Sequence, residues 1–207
     1  MRANSGSDEQ GRSFTERGRR AQIVAATVEA IVDLGYPKAS FGQIAQRAGL
    51  SSTGMISYHF ENKAELMRQV AVSVYGTAEE LVGTRVVAAD TARGQLRAFI
   101  EASVDFYRTH HRELRALTEI LINHRDDQPV MPLHQRDIGA LEELFRAGQR
   151  TGEFRDFDPH VMAVAVRHAL DGVAMRLGTE IETDADSYAR ELVTTFDLAT
   201  QARQEES

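Results

Sequence analysis

Apolar positions recur three and four residues apart along most of the chain, and no stretch alternates with a period of two, so the pattern predicts helices and no sheet. Val24, Val28 and Ile31 share one face of a first helix, from about Glu16 to Leu34, which Gly35 and Pro37 stop. Phe41, Ile44, Ala45 and Ala48 share a face of a second, short helix. Ser40 opens it with a capping box: its hydroxyl accepts an early amide while Gln43 reaches back. Gly49 supplies the positive φ of a sharp helix-to-helix turn. Ile56 and Phe60, four apart, turn the next short helix toward the core. Asn62 with Glu65 caps a helix starting near Lys63 and running past Tyr75 into the 80s, with Gly76 and Gly83 as interruptions.

The remaining pattern continues in the same period. Leu96, Phe99, Ile100 and Val104 mark a helix starting near Asp90, and Leu114, Leu117, Ile120 and Leu121 mark another ending near Asn123. Asp126 to Pro129 reads as a loop, and a helix from Pro132 to about Gly152 carries Ile138, Leu141, Leu144 and Phe145. Asp158-Pro159 is an N-cap with proline at the first helical position, opening a helix to about Leu177. Residues 183–186 cap a last helix carrying Tyr188, Leu192, Phe196 and Ala199. Residues 1–15 hold almost nothing to bury and read as a disordered tail, or as a basic arm with Arg12 and Arg17 free to make contacts.

Between Gly49 and Lys63 the short helix leaves Ser52, Thr53, Gly54, Ser57 and Tyr58 on its outward side. A small, hydroxyl-rich outer face is what a helix-turn-helix presents to a DNA groove. Any small helical hairpin needs a glycine turn and some buried apolars, so the spacing alone does not decide. The following helix start adds weight, because its free backbone N–H groups and the Lys63 ammonium together make a phosphate clamp.

Charge supports the reading only once its distribution is considered. The whole chain carries −7, yet residues 12–68 hold eight Lys/Arg against five Asp/Glu, and residues 69–207 are left with a net −9. A basic head on an acidic body suits docking of one end on DNA. The 42% hydrophobic content is ample for a core, and the absence of cysteine excludes disulfides and thiolate metal sites. No apolar run has the length of a membrane span and the start is not signal-like, so a soluble, cytoplasmic protein without membrane association is expected.

Ile44-Ala45, Ala48-Gly49-Leu50-Ser51, Tyr58-His59-Phe60, Lys63 and Leu66 together resemble the TetR family of one-component transcriptional regulators. Two departures stand out. The stretch between Gly49 and Tyr58 is one residue longer than the commonest version, and Ser57 stands where many members carry the first of two tyrosines. The resemblance implies an all-α fold with residues 16–62 as helix-turn-helix domain and residues 63–207 as helical regulatory and dimerisation domain. It implies double-stranded operator DNA as partner, with Ser51, Ser52, Thr53, Gly54 and Tyr58 as base-edge and sugar-phosphate candidates and Ser40, Gln43, Ser57, His59 and Lys63 as positioning contacts. It further implies a homodimer through the last two helices, where Ala165, Ala169, Gly172, Leu192 and Phe196 are interface candidates. A small-molecule effector, unidentified, is expected in the body, with Arg97, Tyr107, His124 and His168 as orienting groups.

Catalytic chemistry finds no framework. There is no His-Glu-x-x-His, no phosphate-cradling glycine loop and no Gly-x-Ser-x-Gly elbow, and adjacent His110 and His111 point about 100° apart on a helix. No enzyme activity, cofactor or metal is expected. A repressor released by its effector is the leading expectation, with an activator, or a helical enzyme or ligand-binding module outside transcription, as alternatives.

Overall fold

Caps and glycines set where the helices begin and end. The computed structural model describes residues 6–123, 131–179 and 183–202. In chain order the helices are α1 (Gly6–Leu34), α2 (Phe41–Arg47), α3 (Gly54–His59), α4 (Lys63–Val87), α5 (Ala92–Thr109), α6 (His111–Asn123), α7 (Met131–Arg150), α8 (Pro159–Thr179) and α9 (Ala185–Thr200). A single tight turn, Tyr36–Lys38, joins α1 to α2. Among the described residues the nearest thing to a strand is one isolated bridge, Phe154 to Gln201.

Several helix starts rest on one side-chain oxygen accepting an otherwise orphaned amide. Ser40 accepts from Gln43 N (3.3 Å), Asn62 from Glu65 N (2.9 Å), Thr91 from Gly94 N (3.0 Å) and Asp184 from Ser187 N (3.0 Å). Asp158 accepts from both His160 N and Val161 N, so the start at Pro159 is doubly held.

Three expectations need correction. The first helix begins at Gly6 rather than Glu16, so residues 6–15 extend it; lengthening a nucleated helix costs far less than starting one. The reciprocal half of the Ser40 capping box is not made, because Ser40 N donates to Lys38 O and the Gln43 carboxamide oxygen accepts from Arg47 (3.1 Å). Gly76 and Gly83 do not break α4, which is held on one side by buried Leu66, Met67, Val70, Ala71, Val74 and Val82. The expected loop at 126–129 lies outside the described residues.

The head is α1 to α3, packed with the start of α4 around Ile23, Ile31, Ile44, Ile56, Phe60 and Leu66, all nearly inaccessible to solvent. The body is built from α4 on α5, α7 on α8 and α5 on α9, while α6 lies against both α1 and the body. Phe145, Phe154 and Phe157 form an aromatic cluster with centroids 5.3 to 6.3 Å apart. Gly148 leaves room for it: a methyl there would sit 2.2 Å from the Phe154 ring. The end of α9 is tied to this cluster by Arg155, whose amide donates to Thr200 O (3.0 Å) and whose Nε donates to Ala199 O (2.8 Å).

Candidate nucleic-acid interface

The turn between α2 and α3 is a Schellman closure. Gly49 adopts φ +63°, Leu50 N donates to Ala45 O (2.9 Å) and Gly49 N to Gln46 O (3.2 Å), which satisfies the last carbonyls of α2. From there α3 drops Ile56 and Phe60 into the core and turns its other side outward. Ser51, Ser52, Thr53, Gly54, Ser57 and Tyr58 are all exposed, Tyr58 to 80% of its surface. An aromatic this exposed on a short helix of small residues has no role in the fold's own core.

The positioning candidates divide. Ser40 is exposed at the start of α2 with its hydroxyl committed to the cap, and Gln43 is exposed and accepts from Arg47. His59 is half-buried, its ring edge-on to Tyr58 at 5.0 Å, and its Nδ1 is buried without a hydrogen-bond partner. Lys63, in the first turn of α4, donates through Nζ to Tyr36 O (3.0 Å) and lies 4.3 Å over the Tyr36 ring. Partial burial there pushes its pKa below the usual lysine range. The ammonium is thereby held at a helix N-terminus, where an anion would also meet free N–H groups.

Arg20 of α1 turns inward rather than joining an outward basic fringe. Arg20 reaches across to α3 and α4: it donates to His59 O, lies 4.4 Å over the Phe60 ring, and faces Gln69 (3.4 Å) and Glu65 (3.9 Å). Gln22 donates to Ala48 O (2.7 Å) while accepting from Arg19 (2.8 Å). Arg17 is exposed.

Head and body touch through α6. Asp33, near the end of α1, pairs with Arg47 of α2 (3.8 Å) and with Arg112 of α6 (3.2 Å). Glu119 of α6 accepts from Tyr36 N (3.4 Å), and Tyr36 in turn holds Lys63.

The four effector candidates do not converge. Arg97 is exposed and paired with Glu101 (2.9 Å), His168 is exposed with Nδ1 2.9 Å from Val164 O, and His124 lies outside the described residues. Tyr107 is buried, and its hydroxyl accepts from Arg167 (2.7 Å). Arg167 is the buried polar centre that the sequence pattern does not single out. It also pairs with Asp171 (2.6 Å) and Asp137 (3.5 Å), and these charges hold the guanidinium fully protonated against the cost of burial. Tyr75 lies in the same electrostatic neighbourhood, and burial pushes its pKa up to about 12. The available signal was an Arg–Asp pair four apart inside the apolar run of α8. An open groove of about 580 Å³ lies elsewhere, between α5 and α9, lined by Leu96, Ile100, Val193 and Leu198 with the Arg93–Asp197 pair at its edge.

Of the interface candidates, Ala165 and Gly172 are exposed on α8, in line with Val161 and Met175, each more than 60% exposed. Ala169 and Leu192 are partly buried against the core, and Phe196 is buried within this chain at 8% exposure. Among the described residues no cluster of His, Asp and Glu could hold a metal ion, and no helix is long and apolar enough to cross a membrane.

A short outward-facing helix fixed by a glycine turn and joined by a long helix to a helical body is the architecture of helix-turn-helix transcriptional regulators. Residues 23–70 match the model for bacterial regulatory proteins of the TetR family. The HTH-type transcriptional regulator BetI of Cronobacter sakazakii is 27% identical over 187 residues, covering 86% of this chain and 88% of that protein. BetI of Ectopseudomonas mendocina is 36% identical over 89 residues, which cover 42% of this chain and 45% of that protein. The crystal structure of a bacterial regulatory protein of the TetR family from Rhodococcus RHA1 superposes with a TM-score of 0.76 at 17% identity, over 90% of this chain and 98% of that one. Residues 23–70 thus carry the N-terminal domain of TetR-family regulators, and the chain is similar to such regulators over most of its length.

Proposed function

We propose that this regulator works as a homodimeric repressor, in the cytoplasm, whose two heads occupy successive major grooves of a palindromic operator and whose body releases DNA on binding a small-molecule effector. The observation that carries the DNA reading is the outward face of α3, with Tyr58 and five small residues exposed while Ile56 and Phe60 anchor the helix beneath them. Ser51, Ser52, Thr53, Gly54 and Tyr58 read bases and sugar-phosphate; Ser40, Gln43, Ser57, His59 and Lys63 fix the head on the backbone. Dimerisation is supported by the exposed line of Val161, Ala165, Gly172 and Met175 along α8.

Release requires the body to move the head, and α6 and α4 supply the levers. An effector that shifts α6 would alter the Arg112–Asp33 pair and the Glu119–Tyr36 contact, and with them the seat of Lys63. A useful switch needs a coupling free energy of about 1–3 kcal/mol.

Fluorescence anisotropy on the intergenic duplex upstream of the gene, against a scrambled duplex across a salt series, tests the reading. Preference for the native duplex by about a thousandfold or more is expected. Equal, weak binding to both would count against it.

A further inference from the structure

Neither the exposed face of α3 nor the family match says what holds the reading helix at its angle. The two ends of the helix-turn-helix are both gripped from α1, by side chains two residues apart. At the end of α2, Gln22 donates to the carbonyl of Ala48, the C-cap residue, and Arg19 donates to the Gln22 carboxamide oxygen and so orients it. At the end of α3, Arg20 donates to the carbonyl of His59, the last helical residue, and covers the ring of Phe60, the C-cap. A cation at a helix C-terminus meets both an unsatisfied carbonyl and the negative end of the dipole.

Arg20 does more than cap. Its second nitrogen faces Glu65 and Gln69, on the first two turns of α4, and Glu65 accepts the amide of Glu61 (2.6 Å) within the α3–α4 link. The planar fork thus ties α1 to α3 and α4 at once, a geometry that an ammonium cannot reproduce. A helix of six residues has little rigidity of its own, so its orientation depends on what holds its ends.

We propose that Arg20 and Gln22 are positioning residues for sequence recognition: they touch no DNA and set the angle of α3 against α2 and α4. The inference rests on the regulator reading. Two outcomes distinguish it from the simpler role of an α1 arginine as a phosphate contact. A phosphate contact contributes to all duplexes alike and adds about one unit to the salt slope. A positioning residue affects the preferred sequence and leaves the slope in place.

The experiment starts by enriching a preferred duplex from a randomised pool with the full-length wild-type protein. Arg20→Lys, Arg20→Ala and Gln22→Ala are then measured on that duplex and on a random one across a salt series, with melting followed by circular dichroism. The expected result for Arg20→Lys is an operator-to-random ratio reduced by about tenfold, the size of one misread base pair, with random-duplex affinity and salt slope unchanged. Gln22→Ala, which removes no charge, is expected to lower the ratio in the same direction. Equal losses on both duplexes with a flatter slope for Arg20→Ala would overturn the proposal in favour of a phosphate contact. Unchanged ratios in folded Arg20→Lys and Gln22→Ala would overturn it as well. Should Arg20→Ala melt the head, those two milder variants still decide. Failure of the wild-type protein to enrich any sequence would instead sink the regulator reading, before any variant is compared.

Discussion

At the scale of single residues, exposure and partners separate groups that look alike in the sequence. Tyr58 and Tyr107 are both tyrosines on helices, yet one is 80% exposed and the other is locked to Arg167 inside the body. Tyr58→Ala is expected to cost more on the operator than on random DNA, as measured by anisotropy; equal losses would remove Tyr58 from recognition. Lys63→Ala is expected to weaken all duplexes alike and to flatten the salt slope by about one unit. Tyr75 offers a test of the buried body. Its folded pKa of about 12 lies above the ordinary value of 10.0, so the neutral form favours folding fully below pH 10 and that contribution is lost as pH rises toward 12. Thermal melting should therefore fall more steeply above pH 10 for the wild type than for Tyr75→Phe.

The elements were largely legible in the sequence, because caps, glycine turns and apolar spacing are local signals. Ser40, Gly49, Asn62 and Asp158 each act where a short window already contains the reason. What escaped depends on distant partners. Nothing near Arg20 in the sequence announces His59 or Glu65, and nothing near Arg167 announces Tyr107, sixty residues away. The continuity of α4 through Gly76 and Gly83 was obscured for the opposite reason: two glycines weaken its propensity, and burial of one face overrides them. Gly49→Ala tests the turn. With φ at +63°, an added Cβ is strained, and a loss of about 1–2 kcal/mol in denaturant unfolding is expected. Gly148→Ala tests packing instead, since its methyl would collide with the Phe154 ring and must push α7 from the 153–157 segment.

For the whole molecule, the proposed dimer raises the question of how two heads and two bodies act as one. The exposed line along α8 runs through Gly172, where the structure leaves open space around the backbone. Gly172→Arg is expected to shift the protein to monomers in sedimentation equilibrium and to weaken operator binding, since one head alone gives up the second half-site. A dimer that persists would move the interface elsewhere.

The contacts of Arg112 with Asp33 and of Glu119 with Tyr36 join the helix-turn-helix head to the helical body. If they carry release, thermodynamics makes the traffic two-way: occupied operator must loosen the effector by the same factor that effector loosens operator. Extra copies of the operator in a cell would then act as a sponge, raising the dose of effector needed to switch the same gene on.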